Sequence, residues 1–246
     1  MSEENSDPSE WSMADAWDAE AENWAAWARK PGHDSYWSFH RDEFRQLLPS
    51  PAGRALDVGC GEGRFPRDLK SWGYDVVGVD ASPTLVRLAQ EADPRGEYRV
   101  ANAASLPFAD RSFELVTAFM SLQDVDDYER AIEEVSRVLS AGGYFCVAIT
   151  HPMQTAGEFH GNDPDAPFVI AGSYFERRRV GGKPYVRDGM SMTFYSAHRP
   201  LLDYFAAVNG HGLVVDRLLE FPDLTDPPGH RWRRMPLFLD FRARKI

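Results

Sequence analysis

The chain of 246 residues is long enough for one α/β domain with a full hydrophobic core and additional segments. Its formal net charge of −11 comes without a concentrated basic stripe, which disfavours nucleic acid and favours a small molecule as the binding partner. No apolar run approaches the roughly 20 residues needed to cross a membrane, and the N-terminus lacks a basic-then-apolar signal. The two cysteines are interpreted as reduced thiols, so the composition predicts a cytoplasmic protein without a membrane partner.

The N-terminal region has two parts of different character. Residues 1–10 are polar and acidic and predict a disordered tail. Residues 11–48 are rich in aromatic side chains, and three tryptophans recur at spacings that place them on one helical face: Trp17, Trp24 and Trp27. This segment is interpreted either as a helix packed on a sheet or as a lid that excludes water from a ligand. Tyr36 is a candidate catalytic residue and Trp37 a candidate substrate contact, because both lie in a linker between predicted helices.

The most informative segment is RALDVGCGEG at residues 54–63, which predicts a short buried strand that ends in an acid, Asp57. Three glycines follow at alternate positions: Gly59, Gly61 and Gly63. Glycines so placed permit positive φ angles and allow the backbone to approach a nucleotide ligand closely. The dinucleotide pattern G-x-G-x-x-G does not fit because its third glycine is missing, which disfavours a NAD-dependent enzyme.

A second apolar strand ends in Asp80, about 20 residues beyond the glycine turn, where an acid is placed to accept both hydroxyls of a ribose. A helix is predicted to follow at about residues 83–92, with Ser82 as its N-cap. A third strand is predicted at residues 97–101. The segment NAASLPFADRSFELV then occupies residues 102–116.

These motifs together resemble the class I, Rossmann-like methyltransferases that use S-adenosylmethionine (SAM) and release S-adenosylhomocysteine (SAH). The resemblance implies that Asn102 replaces an acid at the adenine edge, where its carbonyl oxygen can still accept a hydrogen bond. The predicted cofactor-binding residues are Asp57, Gly59, Cys60, Gly61, Gly63, Asp80, Ala81, Asn102, Ala103 and Phe119.

The remaining elements predict an open α/β sheet. Strands are expected at residues 113–118 and 144–150, separated by a helix with one apolar stripe that ends at Gly142 and Gly143. Sixth and seventh strands are expected at residues 213–220 and 235–243. The alternation of strands and helices predicts a single doubly wound, mostly parallel sheet, and the resemblance implies that the seventh strand lies antiparallel between the fifth and sixth.

Residues 151–199 are predicted to be an insertion in a domain that spans residues 11–246 and has its cofactor-binding core at 54–150. Two strands, at residues 173–180 and 184–196, are expected to form a hairpin around Gly181 and Gly182. The resemblance implies that an insertion at this edge caps the substrate.

Methyl transfer requires that a nucleophile is aligned with the methyl group and that water is excluded from both. A base is needed only when the nucleophile arrives protonated. His151 is the candidate general base. Gln123 and Asp124 follow the fourth strand, and Asp124 is a candidate for holding a substrate amine, or else part of an acidic helix N-terminus. His198 and Arg199 are candidates for binding a substrate carboxylate, or else for capping a helix.

The resemblance implies a methyltransferase that acts on a nitrogen or oxygen of a small molecule, in a monomer or homodimer and without a metal site. A C-methyltransferase is a less favoured possibility. A SAM-binding enzyme that catalyses a cyclisation or rearrangement, and a non-catalytic binding subunit, remain open as alternatives.

Overall fold

The computed structural model describes residues 12–170 and 172–246, so the predicted tail at residues 1–10 lies outside the described residues. The strands, in chain order, are β1 (Arg54–Val58), β2 (Asp75–Asp80), β3 (Glu97–Val100), β4 (Phe113–Phe119), β5 (Leu139–Thr150), β6 (Gly157–Phe159), β7 (Phe168–Ile170), β8 (Arg178–Arg187), β9 (Met190–His198), β10 (Leu213–Phe221) and β11 (Phe238–Lys245). The α-helices are α1 (Met13–Ala19), α2 (Ala21–Ala28), α3 (Arg41–Arg45), α4 (Arg64–Ser71), α5 (Pro83–Ala92), α6 (Tyr128–Val138), α7 (Pro152–Ala156) and α8 (Leu201–Gly210). Within this part of the chain, no helix has both the length and the apolar character that crossing a membrane requires.

Seven strands form one sheet in the order β10-β11-β5-β4-β1-β2-β3. Strand β11 runs antiparallel to both of its neighbours, and the other pairs in the sheet are parallel. The predicted fold class is therefore confirmed, including the antiparallel last strand between β5 and β10.

The central strands are buried because helices cover both faces of the sheet. Leu56 and Val116 belong to one hydrophobic core, whereas their neighbours Ala55 and Leu115 belong to a second core on the opposite face. This alternation follows from the two-residue period of a strand. A sheet buried on both faces leaves its carboxyl edge as the natural position for a ligand.

Two predicted boundaries are wrong, and glycine is involved in both. The helix α6 ends at Val138 and β5 begins directly at Leu139, so Gly142 lies within the strand, with φ +77°, rather than stopping a helix. Likewise, Gly181 lies at an irregularity within β8, where the register with β9 shifts. The hairpin turns instead at Asp188 and Gly189, whose φ angles are +49° and +77°. An Asp-Gly pair is a strong hairpin signal because this turn requires positive φ at both positions.

The N-terminal helices and the β8–β9 hairpin pack against each other over the carboxyl edge of the sheet. The predicted single helical face is interrupted at Glu20, so that Trp17 lies on α1 and Trp24 on α2, with their rings 5.7 Å apart. Phe194 of β9 contacts the rings of Trp24 and Trp27 at centroid distances of 6.2 and 6.0 Å. The two segments that the sequence predicted as lid and insertion therefore share one aromatic interface.

Candidate active site

A cavity of about 510 Å³ lies at the carboxyl ends of β1, β2 and β4, beneath the N-terminal helices and the hairpin. Trp17 and Trp24 line it from the helices, and Phe194, Tyr195 and Ser196 line it from β9. This placement favours the lid interpretation over simple packing on the sheet. A cavity of this size is typical of a small-molecule site.

The glycine turn forms the floor of the cavity and has the backbone geometry that the sequence predicted. Gly59, Gly61 and Gly63 have φ angles of +72°, +55° and +83°. A Cβ atom on Gly59 would lie 2.3 Å from the Cβ of Ser121, which follows β4. Glycine is therefore required at this position both by its φ angle and by the close approach of the neighbouring loop. Cys60 lines the cavity as a buried residue, and burial raises the pKa of its thiol, so it is an unreactive neutral group.

Asp80 lies at the end of β2 and faces the glycine turn. Its Oδ2 accepts a hydrogen bond from the backbone N–H of Gly61 at 2.8 Å, and its Oδ1 accepts one from Ser82 at 2.9 Å. Burial raises the pKa of Asp80, while these N–H donors oppose that rise. The carboxylate is held rigidly at the cavity wall, and each oxygen has a further lone pair for a ligand. Ala81, which follows Asp80, also lines the cavity.

Asp57 is the penultimate residue of the central strand β1, at the back of the cavity, and is fully buried. The hydroxyl of Thr117 donates a hydrogen bond to its Oδ1 at 2.6 Å. Burial raises the pKa of Asp57 from 3.8 to about 7, and the Thr117 hydrogen bond opposes this rise. The carboxylate consequently takes up a proton on folding at intermediate pH, which couples the stability of the protein to pH.

Replacing Asp57 with asparagine is expected to stabilise the ligand-free protein at alkaline pH. In the wild type, folding stability falls as pH rises from about 4 to about 7, because the unfolded chain loses this proton at lower pH. Asparagine does not ionise, so the variant avoids this loss of stability as pH rises. Its side chain also keeps an oxygen to accept the Thr117 hydrogen bond. The gain in unfolding free energy at pH 8 should exceed that at pH 4.5 by about 3 kcal/mol, measured by denaturant titration. An equal gain in unfolding free energy at both pH values would contradict the linkage. The control Asp75→Asn, on the same sheet, should show the same change in unfolding free energy at both pH values.

The predicted adenine end is lined by three further residues. Asn102 is exposed, and its Oδ1 accepts a hydrogen bond from the N–H of Ala104 at 2.8 Å, so one lone pair of this oxygen is already used. Ala103 and Phe119 contribute apolar surface to the same cavity. The phenyl ring of Phe119 stacks on Phe65 at 4.9 Å.

Tyr36 lines the cavity from a π-helical turn, Tyr36–His40, but its hydroxyl is engaged elsewhere. This hydroxyl donates to Asp68 at 2.6 Å, and burial raises its pKa far above the ordinary value. Tyr36 therefore presents its ring rather than an ionisable group. Trp37 points away from the cavity, because it does not line it and its indole N–H donates to the carbonyl oxygen of Ala28.

The sequence reasoning did not single out Arg64, which follows the last glycine of the turn. Among the described residues it is the only lysine or arginine that lines the cavity. Its guanidinium is paired with Asp34 and lies 4.2 Å from the centre of the Tyr36 ring. Its position directly after the glycine turn is a signal that the sequence contained, since a cation there is placed to meet an anionic end of a nucleotide-like ligand.

His151 does not line the cavity, which gives no support to its predicted role as the base. Its Nδ1 accepts a hydrogen bond from the N–H of Met153 at 3.0 Å, and its Nε2 contacts Glu220 at 2.7 Å. Both ring nitrogens are therefore used to cap α7 and to fix the neighbouring strand. Burial lowers the pKa of His151, which favours the neutral ring that this capping requires.

His198 and Arg199 also lie outside the cavity lining, so the structure does not place them against a substrate carboxylate. His198 is fully buried between the Thr155 hydroxyl at 2.7 Å and the carbonyl oxygen of Tyr174 at 2.8 Å. The guanidinium of Arg199 donates to the carbonyl oxygens of Gln123 and Val125 at 2.9 and 2.5 Å. Arg199 thus holds the loop after β4 in place from behind.

A histidine that the sequence reasoning missed does line the cavity. His40 is buried at the end of the π-helical turn, and its Nε2 lies 3.0 Å from Oδ1 of Asp240 on β11. Its Nδ1 has no hydrogen-bond partner among the described residues. Burial raises the pKa of Asp240, while His40 opposes that rise. The pair has the arrangement of a base with an orienting carboxylate.

Comparison with known proteins finds similarity to methyltransferases. Residues 56–147 match the model of a family described as "Methyltransferase domain". A demethylmenaquinone methyltransferase from Roseiflexus sp. is 36% identical over 119 residues, which cover 45% of this chain and 50% of that protein. The chain thus spans about half the length of the curated relatives it matches.

Solved structures share the fold over most of the chain. An S-adenosylmethionine-dependent methyltransferase from Mesorhizobium loti superposes with a TM-score of 0.68 at 26% identity, covering 86% of this chain and 98% of that one. The [4+2]-cyclase SpnF superposes with a TM-score of 0.62 at 17% identity, covering 95% of this chain and 94% of that one. This second likeness concerns the fold alone.

Proposed function

We propose that this chain, which is similar to the class I, Rossmann-like methyltransferases in sequence and fold, transfers a methyl group from SAM to a nitrogen or oxygen of a small-molecule acceptor. The observation that carries this proposal is the facing pair of the left-handed glycine turn and the Asp80 carboxylate at the cavity wall. The demethylmenaquinone methyltransferase relative is named for a reaction that methylates carbon. In this chain, the acidic side chains that line the cavity favour an acceptor nitrogen or oxygen.

The residues present fit SAM. Asp80 is placed to accept the ribose hydroxyls, because its oxygens retain lone pairs beyond those used by Gly61 and Ser82. The Arg64 guanidinium is placed for the carboxylate of the methionine end. The acidic side chains that line the cavity complement a sulfonium and an ammonium group.

SAM supplies a methyl group on a positively charged sulfur, and its departure leaves a neutral thioether. With SAM bound, an acceptor held in this cavity would supply the lone pair that bonds to the methyl carbon, and the electron pair of the broken carbon–sulfur bond would stay on sulfur. A protonated acceptor also gives up a proton, for which we propose Nδ1 of His40 as the base. Protonation there converts a buried Asp240 carboxylate with a neutral histidine into an ion pair, which favours the transfer.

The N-terminal helices close this cavity and contribute by excluding water. Asp18 of α1 accepts hydrogen bonds from the Ser82 hydroxyl and from the N–H of Thr84 at 3.1 Å, beside Asp80. Asp126, at the loop after β4, accepts from the N–H of Met13 at 2.9 Å. These contacts anchor the helices on both sides of the cavity.

Isothermal titration of the purified protein with SAM and with SAH tests the proposal. We expect micromolar binding of both ligands and no binding of NAD⁺, whose fingerprint the glycine turn lacks. Transfer of a labelled methyl group from SAM to a small-molecule acceptor would then establish the reaction. Absence of binding by SAM and SAH would contradict the proposed function.

A further inference from the structure

Unsatisfied polar atoms are concentrated in the cavity. Buried side-chain atoms without a hydrogen-bond partner among the described residues belong to five of its lining residues: Trp17, His40, Gln123, Asp124 and Ser196. Buried polar atoms are almost always paired, so a group of unpaired ones in a cavity points to a missing ligand. Three of these atoms are oxygens, and they come from the loop after β4 and from the hairpin.

The two oxygens of the β4 loop are held in fixed positions. Gln123 and Asp124 lie on a single 3₁₀ turn, Leu122–Asp124. The Gln123 amide nitrogen donates to the carbonyl oxygen of Met120 at 2.8 Å, which leaves its Oε1 as an unpaired acceptor. Arg199 donates to the carbonyl oxygen of Gln123 on this turn and to that of Val125 directly after it, which holds the turn in place.

Asp124 Oδ1 is the second unpaired acceptor on this turn. Burial raises the pKa of Asp124, an effect that the nearby Ser196 hydroxyl and the Arg199 guanidinium oppose. Arg199 donates to the backbone carbonyls of Gln123 and Val125, and within the described part of the chain its guanidinium forms no ion pair with the Asp124 carboxylate. A buried carboxylate without a cation is unfavourable, and a ligand that brings a positive charge removes that cost.

The opposite wall is aromatic. Trp17 and Trp24 from the N-terminal helices and Phe194 from β9 line the same cavity. Ser196, two residues beyond Phe194, contributes a third buried oxygen, its hydroxyl, which lies beside Asp124 and keeps lone pairs for a ligand. Aromatic faces beside a carboxylate attract a cation of organic character.

We propose that Asp124, Gln123 and Ser196 form a subsite that binds a protonated amino group of the acceptor substrate. An ammonium group carries three N–H donors, which matches three acceptor oxygens. An alcohol has a single O–H donor and leaves acceptors unpaired, and a carboxylate is repelled by Asp124. The inference rests on the proposed function, since it names the class of acceptor for the same cavity.

Calorimetric titration of the SAH-saturated protein with matched probes tests this subsite. The probes are 2-phenylethylamine, tyramine and hexylamine, each compared with the alcohol and the carboxylate on the same skeleton. We expect at least one amine to bind ten-fold or more tightly than its alcohol, and its carboxylate not to bind. Asp124→Asn should weaken that amine at least ten-fold, because a charged hydrogen bond is lost. Asp165→Asn, the same change at an exposed position away from the cavity, should leave the affinity unchanged.

The outcomes separate this inference from the proposed function. If Asp124→Asn binds SAH normally and the amine as tightly as the wild type, or if no amine binds better than its alcohol, the subsite is refuted and methyl transfer still stands. A wild-type protein that fails to bind SAH refutes both. Asparagine fits the space of the aspartate and removes a buried charge, so the variant should fold, and its thermal unfolding would verify this.

Discussion

Asp80→Ala is expected to reduce the affinity for SAM and SAH by about 10² to 10⁴-fold while leaving the fold intact. The alanine removes two acceptor oxygens that are placed for the ribose hydroxyls, and hydrogen bonds to a charged group contribute about 1.5–3 kcal/mol each. It also frees the N–H of Gly61, which loosens the glycine turn. Isothermal titration with SAH measures the loss, and circular dichroism and thermal unfolding measure the fold.

A matched control lies on the same strand. Asp75 begins β2, at the end remote from the cavity, and its side chain is 75% exposed. Asp75→Ala should bind SAH with wild-type affinity, so a general effect of removing an acid from β2 can be excluded. Unchanged affinity in Asp80→Ala would show that the cavity does not hold a ribose at this wall, and the assignment of the cofactor end would be wrong.

The backbone of the proposed cofactor end was largely predictable from the sequence because its signals are local. The glycines at alternate positions and the acids at the ends of two apolar strands determine the backbone within about 25 residues of the chain. Gly59, Gly61 and Gly63 adopt the expected left-handed angles, and Ser82 caps α5 by accepting from the N–H of Leu85. These features depend on the steric properties of single residues and short turns, so they follow from the identities of neighbouring residues in the sequence.

The proposed substrate end was less predictable because its contacts join distant parts of the chain. His40 meets Asp240 across 200 positions of sequence, and only the placement of β11 beside β5 brings them together. His151 has the right chemistry for a base, but its ring nitrogens are occupied by Met153 and by Glu220 of β10. Sequence patterns indicate where a histidine lies along a strand, and they do not indicate which partners its two nitrogens meet.

The hairpin was misplaced for a different reason. Two pairs of residues in the insertion carry turn chemistry, Gly181–Gly182 and Asp188–Gly189, and both pairs have positive φ angles. The first pair accommodates an irregularity in β8 and the second makes the turn. The turn therefore lies later in the chain than expected, and β9 begins at Met190 rather than at residue 184.

His40→Gln is expected to lower kcat/KM by about 10² to 10⁴-fold for an acceptor whose nucleophile arrives protonated, with little change in SAM affinity. Glutamine keeps a polar group beside Asp240 but cannot take a proton. The measurement is transfer of a labelled methyl group from SAM to an acceptor found by screening. His151→Gln is the matched control, because that histidine lies outside the cavity and should retain turnover near the wild-type rate.

A dependence on pH separates a base from a residue that only packs in the core. If His40 accepts the proton, the pH dependence of kcat/KM seen in the wild type disappears in His40→Gln. His40→Gln leaves the Asp240 carboxylate buried without its partner, so the double variant His40→Gln/Asp240→Asn provides a second test in a neutral core. A double variant that folds and turns over at the wild-type rate would mean that the pair only joins the π-helical turn to β11. If it folds and remains slow, with a flat pH profile, the proton is taken up at His40.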